Sequence, residues 1–211
     1  ANVLGALDDA SRLGARVVNI SQRMVAASAS DKAMFAQWLD RHPELLVIMA
    51  AGNDAQELSR QELNIATIER PNLIKVAAAT SSGHIASVSN YDPKLVEFAA
   101  RGRATDDRHW AGSWYSLLQN EAATVFDASH ETTSAATPVV SNLAAKVVSL
   151  APSIDSGKVL RDLLVATADG ARTLPHLSGR VRFGAVNPWR AMATATALEM
   201  IANGSAASTA D

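Results

Sequence analysis

An uninterrupted apolar run, LLVIMAA at residues 45–51, is the feature that most constrains the fold of this chain. The run is far shorter than the roughly 20 residues that a membrane-spanning helix needs. Runs of this kind, when helices separate them, are typical of parallel strands that are covered on both faces. Further strands are predicted at 15–21, 73–80 and 95–101. We therefore expect an α/β fold with three layers around a mainly parallel sheet.

Helical periodicity appears between these strands and after the last of them. Apolar residues at helical spacing predict helices at 2–13, 31–41, 133–150, 155–168 and 188–202. Asp31 is the expected N-cap of the second helix. The stretch 102–129 has no regular pattern, which predicts a surface excursion, and the small polar residues 204–211 are expected to be a disordered tail. No linker divides the rest, so 1–203 is predicted to be one domain.

Charge and residue usage exclude several classes of function. The 211 residues carry a formal charge of -2 and scattered Lys and Arg, so we expect no nucleic-acid partner and no membrane partner. The absence of cysteine excludes disulfides, a thiolate nucleophile and a Cys-based zinc site. The first residues lack both an initiating Met and a signal pattern, and they are typical of mid-domain sequence. We therefore expect the chain to be a piece of a longer protein, and its compartment stays open.

Two polar residues lie where a parallel sheet usually binds ligands, at the carboxyl ends of its strands. Asn53 places a side-chain amide after the second strand, next to Gly52, which lets backbone approach closely. Ser134 opens a helix, where unpaired N–H groups and the helix dipole favour negative charge. A nucleophilic serine needs such donors, and these two elements could form one oxyanion hole. The alternatives are a helix-stabilising hydroxyl for Ser134 and a turn residue for Asn53.

Residues 130–138, HETTSAATP, concentrate three hydroxyls and a proline at the start of the predicted helix at 133–150. Hydroxyl side chains commonly cap helix starts. Proline is least costly near the first turn, where the N–H groups lack intrahelical partners. The segment is therefore suited both to starting a helix and to presenting Ser134 at its positive end.

Four segments resemble, in order and approximate spacing, the successive core blocks of the subtilisin-like serine peptidases, the subtilases. They are VVNIS, VIMAAGN, IKVAAATSSGHIASVSNYDP and TTSAATPVVSNLAAKVVSLAPSIDSGKVLRDLLVATA. The closing FGAVNPWRAMATA is similar to the family's C-terminal block. The resemblance covers almost the whole chain. It implies the C-terminal part of a subtilisin-like catalytic domain, with the N-terminal portion absent, and hydrolysis of peptide bonds through an acyl-enzyme.

The resemblance also implies roles for individual residues. Ser134 matches the nucleophile of the motif Gly-Thr-Ser-x-Ala-x-Pro, and Asn53 matches the oxyanion-hole asparagine. The substrate would be a peptide or protein, and the residues implied to bind it are Ser21, Gln22, Arg23, Ala50, Ala51, Gly52, Thr132 and Thr133. The first three match a segment that pairs with the substrate backbone as an added strand. Ala50, Ala51 and Gly52 match a wall of the pocket for the side chain before the cleaved bond.

The chain departs from the family pattern at three places. Thr132 stands where the family has glycine, and it adds a side chain where the substrate backbone passes. Residues 139–142, Val-Val-Ser-Asn, replace the usual His-Val-Ala-Gly, which indicates altered helix packing. The family's Asp and His precede its VVNIS-like block, where this chain has only 14 residues before Ala15. We therefore expect both groups upstream of this chain and near-inactivity of the chain alone. His42, His84 or His130 as a substitute base is the alternative.

Two alternatives to a single-chain active peptidase stay open. One is a catalytically inactive subtilase-like scaffold that binds peptide or protein, which Thr132 favours. The other is a processed enzyme whose N-terminal fragment is a separate chain and a partner. No cofactor is required by the chemistry. Asp106 and Asp107 could hold calcium as loops of this family often do, but their spacing shows no ligand pattern. Secretion is suggested by the resemblance only.

Overall fold

The computed structural model describes residues 3–102, 131–170 and 174–204. Its α-helices are α1 (Val3–Arg12), α2 (Ala29–Arg41), α3 (Thr133–Leu150), α4 (Gly157–Ala166) and α5 (Pro188–Ala202). Its strands are β1 (Val17–Ile20), β2 (Leu46–Ala50), β3 (Leu73–Ala79) and β4 (Phe98–Arg101). Each predicted helix and strand with described residues is present, with ends within a few residues of the expected ones. The predicted surface excursion, with Asp106 and Asp107, and the predicted tail lie almost entirely outside the described residues.

The four strands form one sheet in chain order, β1-β2-β3-β4, and all three pairings are parallel. The register places Ile20 beside Met49, and Ala50 beside Val76. The predicted parallel sheet is therefore confirmed. Because all strands run the same way, their carboxyl ends lie at one edge, and the residues after Ile20, Ala50 and Ala79 lie along it.

Alternate residues of the strands pack into two separate cores, one on each face of the sheet. Val47 and Met49 of β2 pack with residues of α1 and α2, whereas Leu46 and Ile48 pack with residues of α3, α4 and α5. All residues of β2 and β3 are buried, as a strand covered on both faces must be. This arrangement confirms the three-layer α/β fold. None of the described helices combines the length and apolarity needed to cross a membrane.

Helix α2 starts earlier than the sequence indicated. Its N-cap is Ser28, whose hydroxyl oxygen accepts a hydrogen bond from the Asp31 N–H at 3.2 Å. The same hydroxyl donates to the Asp31 carboxylate at 2.9 Å. The prediction of Asp31 as the cap was therefore wrong. Ser28 and Asp31 satisfy each other as a reciprocal capping pair, so both residue types are consistent with a helix start.

A buried ion pair joins the two strands furthest from β1, and the sequence did not predict it. Lys75 in the middle of β3 is 1% exposed, and its Nζ lies 3.3 Å from Oε1 of Glu97, just before β4. Arg161 of α4 approaches the same carboxylate at 3.3 Å. The Lys75 N–H also donates to Glu97 at 2.9 Å. These contacts fix β3, the residue before β4 and α4 relative to one another.

Candidate active site

The first residue of α3, Thr133, is bonded directly to the loop that follows β2. Its N–H and its hydroxyl both donate to the side-chain oxygen of Asn53, each at 2.9 Å. The Gly52 N–H in turn donates to the Thr133 hydroxyl oxygen at 3.3 Å. Thr133 is fully buried, so these bonds are shielded from water. They hold Asn53 against the start of the helix that carries Ser134.

These bonds determine which way the Asn53 amide points. Its oxygen must accept from the Thr133 N–H, so the amide nitrogen faces away from the helix backbone. That nitrogen makes no hydrogen bond to any described residue, and Asn53 is exposed. The carboxyl end of β2 therefore presents an oriented, unused N–H donor at the surface.

Ser134 is the second residue of α3 and is partly buried. The N–H groups of the two residues after it donate to the Thr132 carbonyl at 3.2 and 3.1 Å. The Thr133 N–H is taken by Asn53. Within the described residues, the Ser134 N–H and hydroxyl have no hydrogen-bond partner. A backbone donor and a hydroxyl thus lie one residue from the Asn53 contact without a partner among the described residues.

Thr132 and Pro138 of the segment HETTSAATP differ from what the sequence indicated about the helix start. Thr132 is the N-cap residue of α3, but its side chain makes no capping hydrogen bond. Its N–H donates to the Gly102 carbonyl at 3.0 Å, which joins the helix to the end of β4. Pro138 is the sixth residue of α3 and therefore lies beyond the first turn, where we had expected proline to be least costly. Because proline lacks an N–H, the Ser134 carbonyl loses its usual intrahelical partner.

The loop after β1 is tied to α3 as well. The Ser141 hydroxyl donates to the side-chain oxygen of Asn19 at 2.9 Å, and the Asn19 amide donates to the Ser21 hydroxyl oxygen at 2.9 Å. Ser141 is one of the residues that depart from the family pattern after Pro138. Its hydroxyl forms a contact between α3 and β1.

Gln22 and Arg23 are exposed, and Arg23 bridges to the neighbouring loop. Its Nε lies 3.3 Å from the carboxylate of Asp54, the residue after Asn53. Asp54 also accepts a hydrogen bond from the Asn90 amide at 3.1 Å. The loops after β1 and β2 are therefore joined by an ion pair beside Asn53, which residue spacing did not predict.

The residues before Asn53 are enclosed. Ala50 and Ala51 are 2% and 0% exposed, and the Ala51 carbonyl accepts from the Asn90 amide at 2.9 Å. Gly52 has a φ of 103°, and a Cβ there would lie 2.5 Å from the Asn90 amide nitrogen. Glycine is therefore required at 52 by both backbone conformation and space. The accessible part of this strand end starts at Asn53.

His42 lies at the opposite edge of the sheet from Ser134. It precedes β2, whereas Asn53 follows it, and five strand residues span about 16 Å. His42 contacts Glu44 at 3.2 Å and stacks on Trp38. Burial disfavours ionisation of Glu44, but hydrogen bonds from its own backbone, Ser11 and His42 outweigh that effect and lower its pKa. His42 therefore cannot be the base for Ser134.

Of the remaining candidate bases, His84 lies within the described residues, and it makes no hydrogen bond to Ser134 there. His84 follows β3 and stacks on His176, with ring centroids 4.0 Å apart. His130 lies outside the described residues. Among the described residues, no histidine is hydrogen-bonded to Ser134, and no group of three or more His, Asp or Glu side chains could hold a metal ion.

The parallel sheet and its covering helices define an α/β protein, and the candidate site lies at the carboxyl edge of the sheet. The sequence profile of peptidase S8, the subtilase family, matches residues 1–184 of the 211. The chain belongs to the subtilase family. No curated protein sequence matches it.

Solved structures, two of them of proteases, share this fold. The prenylagaramide maturation protease PagA has a TM-score of 0.65 and 23% identity, over 92% of this chain and 67% of that chain. The A-subunit of the AB5 toxin from E. coli has a TM-score of 0.67 and 21% identity, over 92% and 66%. The epidermin leader peptide processing serine protease EpiP from Staphylococcus aureus has a TM-score of 0.67 and 18% identity, over 92% and 54%. This chain thus spans about two thirds or less of these relatives.

Proposed function

We propose that this chain is the C-terminal part of the catalytic domain of a subtilisin-like serine endopeptidase, with Ser134 as its nucleophile. The observation that carries the proposal is the pair of hydrogen bonds from Thr133 to the Asn53 side-chain oxygen. These bonds turn the amide nitrogen outward beside a helix start where Ser134 keeps an unused N–H and hydroxyl. Family membership supports the same reaction class.

In this mechanism, a histidine removes the Ser134 proton while the hydroxyl oxygen attacks the scissile carbonyl carbon. The carbonyl oxygen becomes negatively charged and accepts hydrogen bonds from the Ser134 N–H and the Asn53 amide. The C–N bond then breaks, the histidine gives its proton to the leaving amine, and the acyl chain remains on Ser134. Water then attacks the acyl carbon in the same way, which releases the carboxylic acid and restores the serine.

Asn53 would contribute through charge that develops only in the transition state. Removing the equivalent kind of donor, an oxyanion-hole asparagine in subtilisin, lowers turnover roughly 100- to 1,000-fold, and we borrow that magnitude. Thr133 acts through Asn53 and is a positioning residue. Its hydrogen bonds keep the amide nitrogen available for the oxyanion.

The substrate peptide would lie along the loops at the carboxyl edge of the sheet. The segment Ser21–Arg23 would pair with it as an added strand. Residues 50–52 are buried, so they would form only the inner wall of the pocket before the cleaved bond, behind Asn53. The ion pair of Arg23 with Asp54 supports this placement because it joins the two loops at one cleft. Thr132 and Thr133 would lie along the same cleft.

The aspartate and the histidine base would come from upstream of this chain, either in the same polypeptide or as a separate N-terminal fragment. Strand β1 pairs only with β2 among the described residues, so its other edge can accept a further strand. This mechanism needs no cofactor.

The second candidate function is a scaffold that binds peptide or protein without cleaving it. The observation that favours it is Thr132, which places a side chain at the entrance to the helix where the family has glycine. Its N–H is bonded to the Gly102 carbonyl, which fixes the backbone position from which the side chain extends. In this alternative, Asn53 and Ser134 would be retained as structural residues.

Peptide hydrolysis by the intact protein distinguishes the two candidates. With a mixture of fluorogenic peptides, we expect Ser134→Ala to abolish turnover and Asn53→Ala to lower kcat roughly 100-fold or more with little change in KM. Thr132→Gly should retain or raise the activity. Saturable peptide binding without hydrolysis, in both the wild type and Thr132→Gly, would instead establish the binding scaffold.

A further inference from the structure

A cavity of about 310 Å³ lies between the residues that follow β3 and the segment between α4 and α5. Its polar lining consists of His84, Ser87, Ser89, Tyr91, His176 and Arg180. Ala55, Ile85 and Ala86 supply the apolar part of the wall. This volume is at the lower end of the range for small-molecule sites. The lining contains no carboxylate, and it does not include Ser134 or Asn53.

Arg180 brings a positive charge to this cavity, and none of the described carboxylates forms an ion pair with it. Its guanidinium lies over the ring of Tyr91, 4.3 Å from the centroid, and forms no ion pair with any described carboxylate. Arg182 is different, because its guanidinium lies 3.9 Å from the carboxylate of Glu69. A guanidinium that is stacked on an aromatic ring keeps its N–H donors in a fixed plane, which suits carboxylate and phosphate groups.

The paired histidines add further donors from two different segments. His84 and His176 line the cavity with rings 4.0 Å apart. One ring nitrogen of His84 lies 3.2 Å from the Ser82 hydroxyl. The other ring nitrogens of the pair have no hydrogen-bond partner within the described residues. Imidazole donates through N–H when neutral and through both nitrogens when charged.

The hydroxyl groups of the cavity differ in availability. The Ser89 hydroxyl accepts from the Ala78 N–H at 2.9 Å and donates to the Asn90 carbonyl at 2.8 Å, so it serves the protein itself. The hydroxyls of Ser87 and Tyr91 have no partner in the described part of the chain. The unused groups are therefore mainly donors, with one permanent positive charge.

We propose that this cavity binds a small oxyanion, the carboxylate or phosphate group of a small molecule. Arg180 supplies the charge, and His84, His176, Ser87 and Tyr91 supply the hydrogen bonds. The volume corresponds to about ten water molecules at roughly 30 Å³ each, so an organic acid or a phosphorylated compound fits as well as the bare ion.

The bound ligand would also touch the loop that carries Asn53. Ala55, two residues further along, lines the cavity and has a φ of 54°, the one positive φ among the described non-glycine residues. Its N–H donates to the Val88 carbonyl at 2.9 Å, which ties the loop to the residues that follow β3. The site is nevertheless separate from the proposed nucleophile, and binding does not depend on peptide cleavage.

Isothermal titration of the protein with inorganic phosphate and, separately, with succinate tests the proposal and distinguishes the two oxyanions. We expect saturable binding of at least one of them at millimolar concentration. Arg180→Gln should weaken that binding about tenfold or more, the loss expected for one charged hydrogen bond. Arg182→Gln is the matched control and should bind as the wild type does, because Arg182 does not line the cavity.

Two results would overturn the proposal. One is the absence of saturable binding of either anion, and the other is an equal loss in Arg180→Gln and Arg182→Gln, which would indicate general surface charge. The Arg180 carbonyl accepts from the Asp92 N–H, and the substitution leaves that bond intact. If Arg180→Gln nevertheless fails to fold, Arg180→Lys and His176→Gln should each lose part of the binding, because lysine keeps the charge but not the planar N–H donors. Wild-type binding in both variants would contradict the assigned contacts.

Discussion

The substitution Thr133→Val is expected to destabilise the protein more than its size suggests. Valine has nearly the shape of threonine, so packing in this fully buried position is preserved. The change removes the hydroxyl bond to Asn53 at 2.9 Å and leaves the Gly52 N–H without its acceptor at 3.3 Å. A buried donor without a partner costs about 1–3 kcal/mol, and we expect a loss in this range.

Thr137→Val is the matched control in the same helix. Thr137 is also fully buried, but its hydroxyl donates only to the Thr133 carbonyl, at 2.7 Å. That carbonyl keeps its ordinary helical bond to the residue 137 N–H, so no buried group is left unsatisfied. We therefore expect a loss of no more than about 1 kcal/mol.

Urea unfolding followed by circular dichroism measures both changes in the free energy of unfolding, provided that the slopes with denaturant agree. The expected result is a clearly larger loss for Thr133→Val. Equal losses in the two variants would show that the Thr133 hydroxyl does not link α3 to the end of β2. The orientation of the Asn53 amide would then need another cause.

Three other predictions concern buried residues that stabilise the fold. Burial disfavours the charged form of Asp92, but hydrogen bonds from three backbone N–H groups outweigh that effect and lower its pKa. The Asp92 carboxylate therefore stabilises the fold above about pH 3.9. This stabilisation is lost as the pH falls through the pKa of the folded state. Asp92→Asn should therefore cost about 1–3 kcal/mol at neutral pH and less in acid, measured by urea unfolding at several pH values. Gly157→Ala should cost about 1–3 kcal/mol because the added Cβ would collide with the Leu45 carbonyl. At Gly170 an added Cβ has no atom within 4 Å, so Gly170→Ala should cost less. Thermal unfolding measures both losses. Lys75→Met should cost about 1–3 kcal/mol in urea because Glu97 loses its strand partner but keeps the ion pair with Arg161, and a loss below 1 kcal/mol would contradict this reading.

The fold was largely predictable because the apolar runs of β2 and β3 are continuous and both strands are buried on two faces. The ends of the helices and strands were less predictable. Asp31 and Ser28 are both suitable helix caps, and only their mutual hydrogen bonds show that the helix begins after Ser28. The helix that contains Pro138 begins at Thr133 as predicted, and this start places the proline in the second turn, not near the first as we had expected.

The candidate site was predictable by residue type but not by contact. Asn53 and Ser134 follow from strand ends, a helix start and the family resemblance. The hydrogen bonds of Asn53 with Thr133 join positions 80 residues apart, and the ion pair of Arg23 with Asp54 joins two loops. Such contacts leave no trace in hydrophobic periodicity, because they depend on how separate segments meet at the sheet edge.

The central claim is that Ser134 is the nucleophile of a peptidase, and labelling with a fluorophosphonate probe tests it most directly. The experiment uses the intact protein, folded as judged by circular dichroism, with Ser134→Ala as the variant and Ser141→Ala as the control. We predict that the wild type and Ser141→Ala are labelled and that Ser134→Ala is not. Absence of label in the folded wild type, or equal label in Ser134→Ala, would contradict the account.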